Sequence, residues 1–212
     1  GNTLQELGRL KEAEASFRQA ITLKSDLVEA HYNLGNTLKE LGRLNEAEVS
    51  YRQAIELKPD LVDAHYNLSN TLKELGRLNE AEVSYRQAIA LKPDLVGTHN
   101  NLGILLKKQG RLNEAEVSYR QAIALKPDYA EAYYNLGNTL KEMGRLKEAE
   151  ESLRQAIVLK PDFADAHNNL GSMLQELGKL EEAMNCYIKA IELNPELPVS
   201  SQNLVELLTS YA

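Results

Sequence analysis

The chain has 212 residues and a net charge of −7, with 43% hydrophobic and 26% charged residues, an ordinary composition for a folded soluble protein. The acidic balance, with no Lys/Arg cluster to offset it, excludes a phosphate backbone as partner. No apolar run approaches the roughly 18 residues of a membrane span, so neither nucleic acid nor membrane is expected as a partner.

The sequence has a period of 34. It divides into 27 residues, five blocks of 34 (28–61, 62–95, 96–129, 130–163 and 164–197) and a tail of 15. Residues 1–27 enter the pattern at its eighth position, so the chain reads as a section of a longer array. In the block from Val28, Ala30, Leu34, Leu38 and Leu41 fall on one face of a first helix. Gly42 suits the left-handed position that ends it. Asn45 and Glu48 form an N-x-x-E start for a second helix, whose apolar face is Ala47, Tyr51, Ala54, Ile55 and Leu57. Lys58 lies in its last turn, where the helix dipole favours a cation. Pro59 stops it, and Asp60 with Asp63 forms the next start. The block from Val62 agrees at 31 of 34 positions, differing at Glu29/Asp63, Gly35/Ser69 and Glu56/Ala90. The blocks from Val96, Ala130 and Ala164 keep the plan. The tail from Pro198 reads as a lone first helix with Leu204, Leu207, Leu208 and Tyr211 apolar. Part of that face has no second helix to cover it, so self-association end to end is expected.

These residues resemble the tetratricopeptide repeat (TPR) family over the whole chain. The block from Val28 supplies that signature with His31, Leu34, Gly35, Leu38, Ala47, Tyr51, Ala54 and Pro59. The block from Ala130 supplies it with Tyr133, Leu136, Gly137, Leu140, Ala149, Leu153, Ala156 and Pro161. Ser69, Leu153 and Ser25 depart from it. The resemblance implies an all-α fold, a right-handed α-solenoid superhelix of antiparallel helix-turn-helix units, with first helices on the concave side. A single hairpin cannot bury its faces, so stability comes from stacking. Gly35 and Ala47 are expected to let the two helices approach, and Tyr51 and Leu38 to fill the space between hairpins.

Few residues suggest chemistry. His31, His65, His99 and His167 all occupy position 4 of a first helix. Neighbouring helices lie roughly 8–10 Å apart, poor geometry for a shared metal, so a packing role is expected. Cys186 reads as a plain thiol in a serine-like position. The sequence has no phosphate loop, nucleophile elbow or metal-spaced cluster. No catalysis, cofactor or metal is expected.

The face of the first helices away from the leucine stripe is more informative. Position 6 is Asn33, Asn67, Asn101, Asn135, Asn169 and Asn203; position 9 adds Asn2, Asn36, Asn70 and Asn138, interrupted by Ile104 and Ser172. Position 5 carries Tyr32, Tyr66 and Tyr134, and position 12 carries Lys39, Lys73, Lys107 and Lys141. Asparagine is a mediocre helix former, so its regularity asks for a reason. One reason is a ladder of amides, each with two donors and an acceptor, that holds an extended peptide backbone without demanding its sequence. The other is bonding within the scaffold, or copying by duplication. The run resembles the superhelical arm of O-linked N-acetylglucosamine transferases, where an asparagine ladder grips substrate polypeptide, and also bacterial TPR arrays. Position 2 is Glu29, Asp63, Gly97, Glu131 and Asp165, which argues against a clamp for acidic chain termini. A scaffold that binds protein or peptide in its concave groove is the leading expectation. A substrate-recruiting arm of a larger enzyme and a duplicated or designed scaffold without a ligand are the alternatives.

Overall fold

The computed structural model describes residues 1–6, 8–196 and 198–210. Among them the regular structure is helical, with no strand. The chain forms two compact units, Gly1–Thr98 and His99–Ala212. The first holds α1 (Asn2–Glu6), α2 (Leu10–Leu23), α3 (Val28–Glu40), α4 (Leu44–Leu57), α5 (Val62–Glu74) and α6 (Leu78–Leu91). Helix α7 (Val96–Lys108) begins in the first unit and ends in the second. The second also holds α8 (Leu112–Leu125), α9 (Ala130–Glu142), α10 (Leu146–Leu159), α11 (Ala164–Glu176), α12 (Leu180–Leu193) and α13 (Pro198–Ser210). Within each unit a helix packs on its neighbours in sequence, and first helices also touch the next first helix: α3 with α5, α9 with α11, α11 with α13. This is the all-α solenoid architecture, in which each hairpin is completed by the next.

Each first helix ends as its glycine requires. Gly42 has φ +73°. The Gly42 amide donates to the Lys39 carbonyl at 2.9 Å and the Arg43 amide to the Leu38 carbonyl at 2.8 Å, the paired bonds of a Schellman ending. The helix starts differ from expectation. Helix α4 begins at Leu44 with Arg43 as its N-cap, and α5 begins at Val62 with Leu61 as its N-cap; neither cap uses a side chain. Asn45 therefore lies inside the first turn and Asp60 in the preceding turn. Lys58 is the C-cap, one residue beyond the last turn of α4. Glu46 instead takes two bonds from the Arg43 guanidinium, at 2.7 and 2.6 Å.

The core is built from Ala, Leu and Tyr. Ala47, Tyr51 and Ala54 are fully buried, as are Ala81, Tyr85 and Ala88. The glycine of position 8 gives the tyrosine ring room within the hairpin: a Cβ on Gly35 would sit 2.6 Å from the Tyr51 ring. In the block from Ala130, Leu153 fills the place of that ring and is also fully buried.

Sequence reasoning missed the ion-pair clusters between second helices that recur among the described residues. Arg18 and Arg43 each bind both Glu14 and Glu46, at 2.6–3.1 Å. Arg52 and Arg77 do the same with Glu48 and Glu80. Glu116, Arg120, Arg145 and Glu148 form a third ring, and Glu150, Arg154, Lys179 and Glu182 a fourth, open cluster. The recurring string R-x-x-E-x-E-x-x-x-R, as in Arg43–Arg52, was the signal. Burial pushes the Glu14, Glu116 and Glu150 carboxyls up, but hydrogen bonds from their two cations outweigh it and hold them below the ordinary 4.5. A lowered native value stabilises the fold above 4.5 and is lost as pH falls through that lowered value. The urea midpoint should therefore hold from neutral pH to about 4.5 and then fall steeply, with Glu14→Gln and Glu116→Gln flattening the fall. An unchanged acid limb in the double variant would count against the clusters.

Helix α13 packs on α11 and α12. It buries Leu207 and half-buries Leu204, and leaves Val199, Val205 and Leu208 exposed at 52–59%. Tyr211, expected on the same face, lies outside the described residues. No helix of the described residues is long and apolar enough to cross a membrane.

Candidate functional site

The first helices place the asparagines of one repeat against those of the next. In the first unit, Asn67 Nδ2 donates to Tyr32 OH at 3.1 Å and to Asn36 Oδ1 at 3.0 Å. In the second, Asn169 Nδ2 donates to Tyr134 OH at 3.1 Å and to Asn138 Oδ1 at 2.9 Å. Asn33 Nδ2 reaches Asn2 Oδ1 at 3.1 Å, and Asn135 Nδ2 reaches Asn100 Oδ1 at 3.0 Å. Asn101 is also engaged. Position 9 has a second duty. Tyr51 OH donates to Asn36 Oδ1 at 2.8 Å, and Tyr85 OH to Asn70 Oδ1 at 2.5 Å. Buried tyrosine hydroxyls need such partners.

This network corrects the expectation that each amide presents two donors and an acceptor. Both donors of Asn67 and of Asn169 are spent on the preceding first helix. The Asn67 oxygen is not, whereas the Asn169 oxygen accepts one bond from Asn168 Nδ2 at 3.3 Å and keeps one lone pair. For Asn36 and Asn138 the reverse holds: the oxygen is taken and the NH2 group is left. Each such pair keeps one acceptor and one donor group, on half-buried side chains at neighbouring rungs.

The tyrosines and lysines are also built into the scaffold. The Tyr32 ring lies 6.1 Å from Tyr51 and Tyr66 lies 6.4 Å from Tyr85, while Tyr134 lies 4.7 Å from Phe163 with the rings tilted by 40°. Lys39 pairs with Glu74 at 3.3 Å, Lys107 with Glu142 at 3.5 Å and Lys141 with Glu176 at 2.8 Å. Lys73 also has a partner. Lys39, Lys107 and Lys141 thus form ion pairs between repeats.

The position-4 histidines tie down loops. His31, His65 and His167 each place Nε2 within 2.8–3.0 Å of a backbone carbonyl six residues back, at Ser25, Pro59 and Pro161. His31, His65 and His99 are buried. Burial pushes the Cys186 thiol up, away from thiolate chemistry. Among the described residues no cluster of three or more His, Cys, Asp or Glu gathers as a metal site.

Helical hairpins stacked in register, joined across repeats by side-chain ladders, define an α-solenoid repeat protein. Residues 1–204 match the family described as the cilia and flagella-associated protein 70 C-terminal domain, and the chain belongs to this tetratricopeptide repeat family. No protein of curated function matches it. Among solved structures, it is similar to MamA at 26% identity and TM-score 0.73, over 77% of this chain and 95% of MamA. It is similar to TTC0263, a thermophilic TPR protein of Thermus thermophilus, at 26% identity and TM-score 0.63, over 86% and 99% of the two chains. YrrB, a TPR protein with an unusual peptide-binding site, shares the fold at 24% identity and TM-score 0.73, over 88% and 96%.

Proposed function

We propose that the chain is a non-catalytic interaction scaffold that binds polypeptide along the face of its first helices. One observation carries this reading. The Asn36–Asn67 pair retains a donor group and an acceptor oxygen after its scaffold bonds are counted, and the Asn138–Asn169 pair retains a donor group and the second lone pair of the Asn169 oxygen, whose first accepts from Asn168. A peptide backbone offers the complementary N–H and C=O at every residue, so such rungs bind a chain without reading its side chains. The half-buried rings of Tyr32, Tyr66 and Tyr134 add contact area beside them. Asn33, Asn101 and Asn135 continue the same rows, as does Asn70. The lysines serve the reading indirectly, by fixing neighbouring helices. The binding of peptide described for YrrB is consistent with this use of the fold.

The test uses beads that carry a pool of random peptides, N-acetylated and C-amidated so that only the backbone is common. The Asn67→Ala, Asn169→Ala double variant should lose tenfold or more in capture. It should also lose about 1 kcal/mol of stability per broken amide bond, so folding is confirmed by circular dichroism at the assay temperature. Equal capture by the folded double variant sinks the ladder.

The exposed Val199, Val205 and Leu208 of α13 support self-association of this 212-residue chain as a second property. Its sedimentation should become concentration-dependent, and Val205→Glu with Leu208→Glu should abolish that dependence. A monomer at every concentration removes this part of the proposal.

A further inference from the structure

The repeat from Val96 departs from its neighbours at several positions, and two of the departures share a helix face. Position 9 is Ile104 where Asn36, Asn70 and Asn138 stand, with Ser172 in the block from Ala164, and position 13 is Lys108 where Glu40, Glu74, Glu142 and Glu176 stand. Both residues lie in the second unit.

The isoleucine costs the scaffold two hydrogen bonds. Tyr51 and Tyr85 donate to the position-9 amide of their own hairpin, but Tyr119 has only Ile104 at that position. Its hydroxyl is sealed from solvent and has no partner in hydrogen-bond geometry. Thr139 lies near enough to favour its ionised form, but the Thr139 hydroxyl donates to the Asn135 carbonyl at 2.8 Å. Asn135 also loses a partner. It donates to Asn100 alone, whereas Asn67 and Asn169 each donate twice. Ile104 does not recover this by burial, because its side chain stays exposed at 37%. A position that breaks the local rule without a gain to the fold is the kind of place where a ligand supplies the gain.

Charge changes at the same place. α7 has no acidic residue in its first turn and carries Lys107 and Lys108 in its last, whereas α9 carries Glu131, Lys141 and Glu142. Lys107 is neutralised by Glu142. Lys108 is exposed, and no carboxylate pairs with it among the described residues. Ile104 and Lys108 are four residues apart on one helix face, about 6 Å along its axis. Alternate residues of an extended strand are about 6.5–7 Å apart.

We infer that this repeat is a specificity site within the peptide-binding face. It takes a segment bearing an apolar side chain and, two residues away, an aspartate or glutamate. Ile104 covers the apolar group, Lys108 Nζ pairs with the carboxylate, and the spare Asn135 N–H donates to a backbone carbonyl between them. The inference rests on the proposed binding of polypeptide, but the two make different predictions. The ladder is indifferent to side chains, and this site is not.

The same acetylated, amidated random pool separates them. Wild-type protein should enrich peptides with an apolar and an acidic residue at alternate positions. Lys108→Glu should replace the acidic preference with a basic one and weaken the best wild-type peptide about three- to tenfold, as charge reversal at an exposed pair allows. Changing the acidic residue of that peptide to lysine should restore its binding to Lys108→Glu. Ile104→Asn should erase the apolar preference while raising the urea midpoint, because the amide gives Tyr119 and Asn135 their missing partner. If Ile104 is only a packing residue, that midpoint falls instead. Preferences unchanged in both variants, with capture still lost in the Asn67→Ala, Asn169→Ala protein, overturn this inference and leave the ladder standing. Preferences that follow Lys108 while the ladder variant binds normally overturn the ladder and uphold the site. Wild-type protein that captures peptides but enriches none overturns this inference alone, and wild-type protein that captures no peptide overturns both.

Discussion

Tyr85→Ala is expected to destabilise the first unit by about 3–5 kcal/mol, the cost of truncating a large buried aromatic side chain. Three losses combine. The ring is fully buried between α5 and α6, so its removal leaves a cavity that two rigid helices cannot close. It lies 6.4 Å from the Tyr66 ring, so an aromatic contact goes as well. Its hydroxyl bonds Asn70 Oδ1 at 2.5 Å, so a half-buried amide loses its partner. The spread of the damage is as informative as its size. Repeats couple to nearest neighbours only, so amide hydrogen exchange should rise through residues 62–95 and fade along the chain. Urea unfolding should lose cooperativity, because a weak repeat uncouples the two sides. A uniform rise in exchange along all described residues would contradict the nearest-neighbour account. A loss below about 1 kcal/mol would contradict the packing account.

Gly171→Val should cost about 2–3 kcal/mol through the opposite fault, overpacking. A Cβ at Gly171 would stand 2.7 Å from Tyr187 Cε1, 2.8 Å from Cδ1 and 3.2 Å from the Ala183 carbonyl. The ring is the movable partner, but it is 99% buried and its hydroxyl holds Gln175 at 2.9 Å. The backbone carbonyl cannot move without shifting α12. The first unit contains the control. Ser69 occupies the equivalent position beneath Tyr85, fully buried, with its hydroxyl on the His65 carbonyl at 2.5 Å. A single Cβ and a small hydroxyl are therefore accommodated, and Gly171→Ser should be mild. Two γ-methyl groups exceed that allowance. Equal midpoints for the serine and valine variants would show that the hairpin is looser than its distances.

Much of the candidate site was legible as position and little of it as bonding. The asparagine and tyrosine rows were visible from a period of 34, and the structure places them on one side of the first helices. Which atoms they leave for a ligand was not visible. Asn67 is 31 residues from Asn36 and 35 from Tyr32, and no local rule says that both its donors are spent there. The lysine pairings were hidden for the same reason: Lys39, Lys107 and Lys141 each meet a glutamate only on the next first helix. The two expected side-chain caps failed for a different reason. Arg43 and Glu46 bond each other across the first turn of α4, and Arg43 also holds Glu14 of the preceding repeat, so cross-repeat ion pairs compete with the local capping pattern.

The sequence by itself determined the helices, the glycine endings of the first helices and the buried faces. Those depend on interactions within a turn or two: a leucine every three or four residues, a glycine at φ +73°, a small residue opposite a large one. It also showed where the position-9 asparagine row is interrupted, at Ile104 and Ser172. Only the tertiary structure decided what these side chains touch. Stacking brings together residues 28–35 positions apart, and at those separations a change in helix crossing decides whether an amide meets an amide, a phenol or water. The period names the partners' rows; the packing geometry chooses the bonds, and with them the atoms left over for a ligand.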